Sequence, residues 1–227
     1  MFDNSVFLAV NAFARQTPWL HGFLLGYADE GFLSFAVLMV AGWWLARRAA
    51  DVRRMAAALW TPIATLLAVA VNQPLVALFH EPRPFVAYHH ILVLGHHGAD
   101  PGFPSDHATM AGAAAAGLFL VSRRLGAFTA FAALLMAFAR VYVADHYPRD
   151  VAAGLVLGAV VCLLGFLVLR RLLVRLVEWL AGTRVRPLVL CRRAYPVYVP
   201  QSSASSSSAP GSSAVADSSG SSSARIR

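Results

Sequence analysis

Charge is scarce in this chain. Charged residues make up 13% of its 227 residues and hydrophobic ones 58%, against about 25% charged in a typical soluble domain. An ordinary soluble domain is thereby excluded and a membrane protein implied. Lysine is missing altogether: all 19 basic residues are Arg, which reads as GC-rich coding rather than as a demand of any one site. There are only two cysteines. Cys162 sits in an apolar run and Cys191 in a basic tail, so they are expected at different sides or depths and a disulfide is not expected. Residues 1–14 have neither a basic start nor a cleavage site, so a cleavable signal peptide is not expected. No internal repeat is visible. No aromatic-basic stripe or known module accompanies the net charge of +8, which argues against nucleic-acid binding.

What is present is a succession of apolar runs sufficient for one bundle. Five main membrane helices are predicted, over about residues 24–46, 55–79, 108–121, 126–143 and 150–169, the last with a possible continuation to 180. The third is short for a span. Its Ala and Gly residues point to close packing inside the bundle rather than to lipid exposure. Phe2, Val6, Phe7, Val10 and Phe13 recur at helical spacing, so residues 1–23 form either an interfacial helix or a sixth hydrophobic segment. The expected fold class is therefore an all-α polytopic bundle of five or six transmembrane helices. Residues 24–180 form the membrane domain, 181–200 a basic cytoplasmic segment and 201–227 a disordered Ser/Ala-rich tail.

The arginines set the orientation. Arg47, Arg48, Arg53 and Arg54, then Arg123 and Arg124, then Arg170, Arg171 and Arg175 fall on one side if the helices alternate. That side is expected to be the cytoplasm. Segments 80–106 and 144–149 then face outward.

Polar residues gather at those outward helix mouths. Arg83 lies between two prolines after the second helix. Ser105, Asp106 and His107 open the third, Arg140 closes the fourth, and His146 and Asp150 flank Pro148 at the start of the fifth. Ionisable groups at a membrane boundary are functional candidates. Each alone has a bland explanation: a surface histidine, a snorkelling arginine, an aspartate in a first helical turn. Asp145 and Arg149 are read as solvated. Together, Arg83 and Arg140 can grip phosphate oxygens, and the start of the third helix, with Ser105 as its cap, can hold an anion. His146 is the candidate nucleophile, with Asp150 reaching its Nδ1–H, and His107 is the candidate general acid and base. His80, His89, His90, His96 and His97 have spacing loose enough for zinc, but no cysteine or helical i, i+4 pair accompanies them. Contact with lipid phosphates is the preferred reading, and no metal is expected.

Arg83-Pro84, then Pro104-Ser105-Asp106-His107, then Arg140 with His146 and Asp150, resemble the three signature motifs of the type 2 phosphatidic acid phosphatase superfamily. More closely, Glu81-Pro82-Arg83-Pro84-Phe85-Val86-Ala87, the Phe-Pro-Ser-Asp-His run and His146-Tyr147-Pro148 resemble its bacitracin-resistance branch of bacterial undecaprenyl-diphosphatases. The resemblance covers about residues 20–180 and implies an acid-phosphatase-like core and a phosphohistidine mechanism without metal or other cofactor. It assigns catalysis to His146, His107 and Asp150, and substrate binding to Arg83, Ser105 and Arg140, with Glu81 and Asp106 beside them. Val76 replaces the usual motif-one Lys, Asp106 the commonest Gly, and Ala139 the usual Ser. Glu81 could orient Arg83 or act as an extra acid.

The implied activity is hydrolysis of undecaprenyl diphosphate to the monophosphate on the outer face of a bacterial cytoplasmic membrane, recycling the carrier lipid of cell-wall synthesis. The alternatives are a phosphatase for phosphatidic acid or phosphatidylglycerol phosphate, and a non-catalytic lipid-phosphate binder or transporter. The last predicts polar or interrupted helices at the midplane, whereas the polar residues here lie at one face.

Overall fold

The computed structural model describes residues 2–95 and 100–191. His96, His97 and the Ser/Ala-rich stretch 201–227 lie outside the described residues, as does the end of the basic segment from 192. Among the described residues the regular structure is entirely helical.

Helix α1 (Phe2–Gln16) leads through a short turn (Pro18–Leu20) to α2 (His21–Glu30) and α3 (Phe32–Ala49). The first predicted span is thus two helices meeting at Gly31, where a Cβ would run into the Tyr27 carbonyl and come within 2.7 Å of Met136 Cε. Helix α4 (Val52–Phe79) follows, then one turn, α5 (Pro84–Ala87). After the outer loop come α6 (Asp106–Val121), α7 (Arg123–Tyr142), α8 (Pro148–Ala181) and the short α9 (Arg186–Val189). Asp51 caps α4 by accepting from Arg53 N–H at 2.8 Å. Pro84 and Pro148 sit in the first turns of α5 and α8, where a missing N–H costs nothing. Helix α8 does continue past 169: its 34 residues reach about 51 Å at 1.5 Å per residue, well beyond a hydrocarbon core of about 30 Å.

Four segments are long and apolar enough to cross a membrane: Phe32–Ala49, Val52–Ala87, Arg123–Tyr142 and Pro148–Ala181. Helix α6 has 16 residues and falls short by length. It is the buried centre of the bundle, packed most extensively on α8, α4 and α7, with residues 111–118 all buried. Lipid need not be matched by a helix that its neighbours surround. Small residues permit the packing: a Cβ on Gly158 of α8 would strike the Thr109 carbonyl of α6, and one on Gly112 would strike the Leu155 carbonyl.

Short connections (residues 50–51, Ser122 and 143–147) force neighbouring helices to alternate. The end of α4 and the starts of α6 and α8 therefore meet at one end of the bundle. The opposite end joins α3 to α4 and α6 to α7. Helix α1 packs at the first end: Phe7 stacks with Tyr88 and meets Tyr147 edge-on, and Asn11 holds the Leu92 backbone through both N–H and carbonyl.

Candidate active site

At the first end, Val76 of α4, Arg83, Pro101, Pro104, Asp106 and His107 of α6, Arg140 of α7 and His146 line a cavity of about 100 Å³. Sites for drug-sized ligands usually run to about 300–1,000 Å³, so this one suits a small anion rather than a whole lipid. Among the residues expected at the site, Arg83, Asp106, His107, Arg140 and His146 meet here.

His146 lies in the five-residue bend between α7 and α8, outside the spanning segments, and is 3% exposed. Its Nδ1 is 2.8 Å from the Gly102 carbonyl. A carbonyl only accepts, so Nδ1 carries the proton and Nε2 is the unprotonated, nucleophilic nitrogen. Arg140 donates to that Nε2 at 3.3 Å. Burial, then the Arg140 and Arg83 charges, hold the ring well below the ordinary histidine pKa and keep it neutral.

The orienting partner differs from the one expected. Asp150 Oδ2 is 3.8 Å from His146 Nδ1, beyond hydrogen-bond range. It instead accepts from the Tyr147 N–H at 2.8 Å, closing the first turn of α8. Its carbonyl also accepts from Ser105 N–H at 3.1 Å. Asp150 thus ties the start of α8 to the start of α6 and does not make the His146 hydrogen bond.

Asp145 is not solvated. It is 2% exposed and pairs with Arg140 at 3.1 Å. The bend after α7 folds it back under the guanidinium that the motif pattern singles out, and Arg140 also donates to the Ala28 carbonyl at 3.3 Å. Arg83 is fixed by its Nε hydrogen bond to the Asp100 carbonyl at 2.9 Å. Glu81 neither touches Arg83 nor lines the cavity: its carboxylate pairs with Arg149 at the rim. Arg149 also reaches Asp3 of α1 at 3.4 Å, so this solvent-exposed arginine is paired on two sides at the rim. Both acids lie close in space to Arg149 but far from it in sequence, and no local spacing rule finds such pairs.

Ser105 stands at the start of α6, but its hydroxyl does not cap the helix. It is fully buried, and its Oγ has no hydrogen-bond partner. The Val76 position leaves an apolar wall where the motif usually offers an amine. One turn earlier, Asn72 and Gln73 each donate to Asp106 Oδ1, at 2.7 and 2.9 Å, and Asn72 also donates to the Pro104 carbonyl at 3.0 Å. Asn72 is buried mid-helix in an apolar run, the one signal that would have marked it. Among the described residues no three His, Cys, Asp or Glu side chains converge as metal ligands.

Residues 57–173 match the model of the PAP2 superfamily. The chain belongs to this superfamily. It is 29% identical over 165 residues to the undecaprenyl-diphosphatase BcrC of Bacillus subtilis (strain 168), covering 73% of this chain and 81% of that protein. YbjG of Escherichia coli (strain K12), provisionally named an undecaprenyl-diphosphatase, is 32% identical over 166 residues, covering 70% of this chain and 78% of the relative. The crystal structure of Aquifex aeolicus LpxE superposes with a TM-score of 0.54 at 21% identity, covering 72% of this chain and 94% of that one. The all-α membrane bundle is thus the PAP2 fold.

Proposed function

We propose that the protein hydrolyses undecaprenyl diphosphate to the monophosphate and inorganic phosphate, through a phosphohistidine on His146. The superfamily and the named relatives support the coarser statement, a membrane-embedded lipid phosphatase. The observation that carries the mechanism is the neutral His146 ring, its Nδ1–H committed to Gly102 and its Nε2 beside Arg140 in a cavity shared with Arg83 and His107.

Nε2 attacks the terminal phosphorus, and the P–O bond to the lipid monophosphate breaks. Arg140 and Arg83 take the equatorial oxygens, where charge spreads in the transition state. The Ser105 hydroxyl supplies a further hydrogen bond, and a phosphate oxygen relieves its burial without a partner. His107, which takes up a proton when the negatively charged diphosphate binds beside it, protonates the leaving oxygen. It then takes a proton from water as that water attacks the phosphohistidine, releasing phosphate and restoring Nε2. Asp106, held by Asn72 and Gln73, lines the wall beside His107. The Gly102 carbonyl, which accepts from Nδ1–H, favours the positive charge that forms on His146.

The site end carries none of the arginine clusters at residues 47–54, 123–124 and 170–175, so the positive-inside bias puts it outside the cytoplasmic membrane. There the diphosphate is recycled to carrier monophosphate, which withdraws the lipid target of bacitracin.

The test is phosphate release by the purified protein in detergent with chelator present, from C55 diphosphate and from phosphatidic acid in parallel. The expected result is faster release from the diphosphate and loss of activity in His146→Ala. Faster release from phosphatidic acid reassigns the substrate to the second reading, a phosphatase for another lipid phosphate. Activity retained in His146→Ala removes the nucleophile.

A further inference from the structure

The end of the bundle opposite the catalytic cavity holds a second opening that the reaction does not use. It is a cavity of about 460 Å³ lined by Arg53 at the start of α4 and by Phe166, Arg170, Arg171 and Val174 of α8. We infer that this cavity binds the phosphodiester headgroup of an anionic phospholipid, seated by Arg53, Arg170 and Arg171.

Charge, depth and shape support the assignment. Among the described residues, none of these guanidinium groups pairs with a carboxylate. The nearest acid in sequence, Asp51, is turned to the backbone N–H groups of Arg53 and Arg54 and lies 3.7 Å from the Arg54 guanidinium. Three like charges around one opening repel each other unless an anion joins them. Arg170 lies 22 residues beyond Pro148, about 33 Å along the helix, which matches the hydrocarbon thickness of about 30 Å. The arginines therefore stand at headgroup level on the far leaflet. Phe166 lies one turn deeper, at acyl-chain level, and gives the inner end of the cavity an apolar wall, while Val174 lies one turn further out than Arg170. Arginine forks suit phosphate oxygens, and basic pockets between membrane helices suit anionic headgroups. A free phosphate would satisfy the arginines but not the apolar half.

The test is native mass spectrometry of the full chain released from nanodiscs of phosphatidylethanolamine and phosphatidylglycerol at 3:1. The wild-type protein is compared with Arg53→Gln/Arg170→Gln/Arg171→Gln. A charge-matched control, Arg54→Gln/Arg123→Gln/Arg124→Gln, alters a separate basic cavity between α4 and α7. The expected result is a retained phosphatidylglycerol adduct in the wild type and control. Each arginine removed from the first set should weaken it about fivefold, the factor for about 1 kcal/mol per basic residue near an anionic surface. Added inorganic phosphate leaves the adduct in place. No adduct in the wild type, equal loss in both triple variants, or displacement by free phosphate at millimolar concentration would overturn the assignment. Hydrolysis of the diphosphate is scored separately, since neither triple variant touches the catalytic cavity.

Discussion

Asp145→Asn isolates the tertiary contact on which the buried Arg140 guanidinium rests. Asp145 and Arg140 side chains are 3% and 8% exposed and 3.1 Å apart. At that separation and an effective dielectric of about 20, the direct attraction is about 5 kcal/mol. Breaking a buried pair from one side typically costs about 3–5 kcal/mol, because the other charge stays buried without compensation. Asparagine keeps the shape and an acceptor oxygen, so the lower end applies, about 3 kcal/mol. For a chain of 227 residues that corresponds to a fall in unfolding midpoint of about 6–12 °C. The assay is thermal unfolding of the purified protein in detergent, run on Asp145→Asn, Arg140→Gln and the double variant. Removing both charges eliminates the stranded cation, so the double variant should recover at least half of the loss seen in Asp145→Asn. Orthophosphate should raise the midpoint of Asp145→Asn more than that of the wild type, because an anion in the cavity replaces the missing carboxylate. An unchanged midpoint in Asp145→Asn, or single-variant effects that add within about 0.5 kcal/mol, would refute the reasoning.

Three other outcomes follow from the same structure. His146 is held neutral in the folded protein but titrates near 6.5 when exposed; as pH falls below that value the unfolded chain takes up the extra proton first, so stability present above it erodes below it. His146→Gln should flatten that decline in pH-dependent unfolding, and parallel curves for the two proteins would count against a buried neutral ring. Asn72→Ala removes the donor to both Pro104 and Asp106, which should lower kcat about tenfold with a smaller change in KM, the effect of about 1–3 kcal/mol on a buried hydrogen-bonded group; steady-state kinetics read it directly. Gly158→Ala drives a methyl into the Thr109 carbonyl and should cost about 1–3 kcal/mol in denaturation, whereas Gly26→Ala, with nothing within 4 Å of its Cβ, should cost little.

Much of the bundle was legible because its signals are local. Apolar runs marked α3, α4, α7 and α8. Pro148 marked the start of α8, and the Ala/Gly content of α6 marked a helix packed on its neighbours instead of lipid. Arg83, His107, Arg140 and His146 could be named because their residue types and helix-mouth positions recur together in a motif. Reading 24–46 as one span passes over the break at Gly31, although Asp29 and Glu30 interrupt its apolar run just before the glycine. Nor could spacing choose between Asp145 and Asp150. Both lie within a turn or so of His146, and Asp150 has the better helical register.

The amino-acid order alone determined that this is an arginine-rich membrane bundle with its motif histidines and arginines gathered at one end, because hydropathy and motif residues act through neighbours along the chain. The folded chain decided which groups serve those residues. Gly102 rather than Asp150 accepts the hydrogen bond from His146 Nδ1–H, Asp145 compensates Arg140, and Glu81 is spent on Arg149. Each of these depends on where a loop or bend returns in space, and a carbonyl that accepts from a histidine leaves no trace in the identity of its side chain.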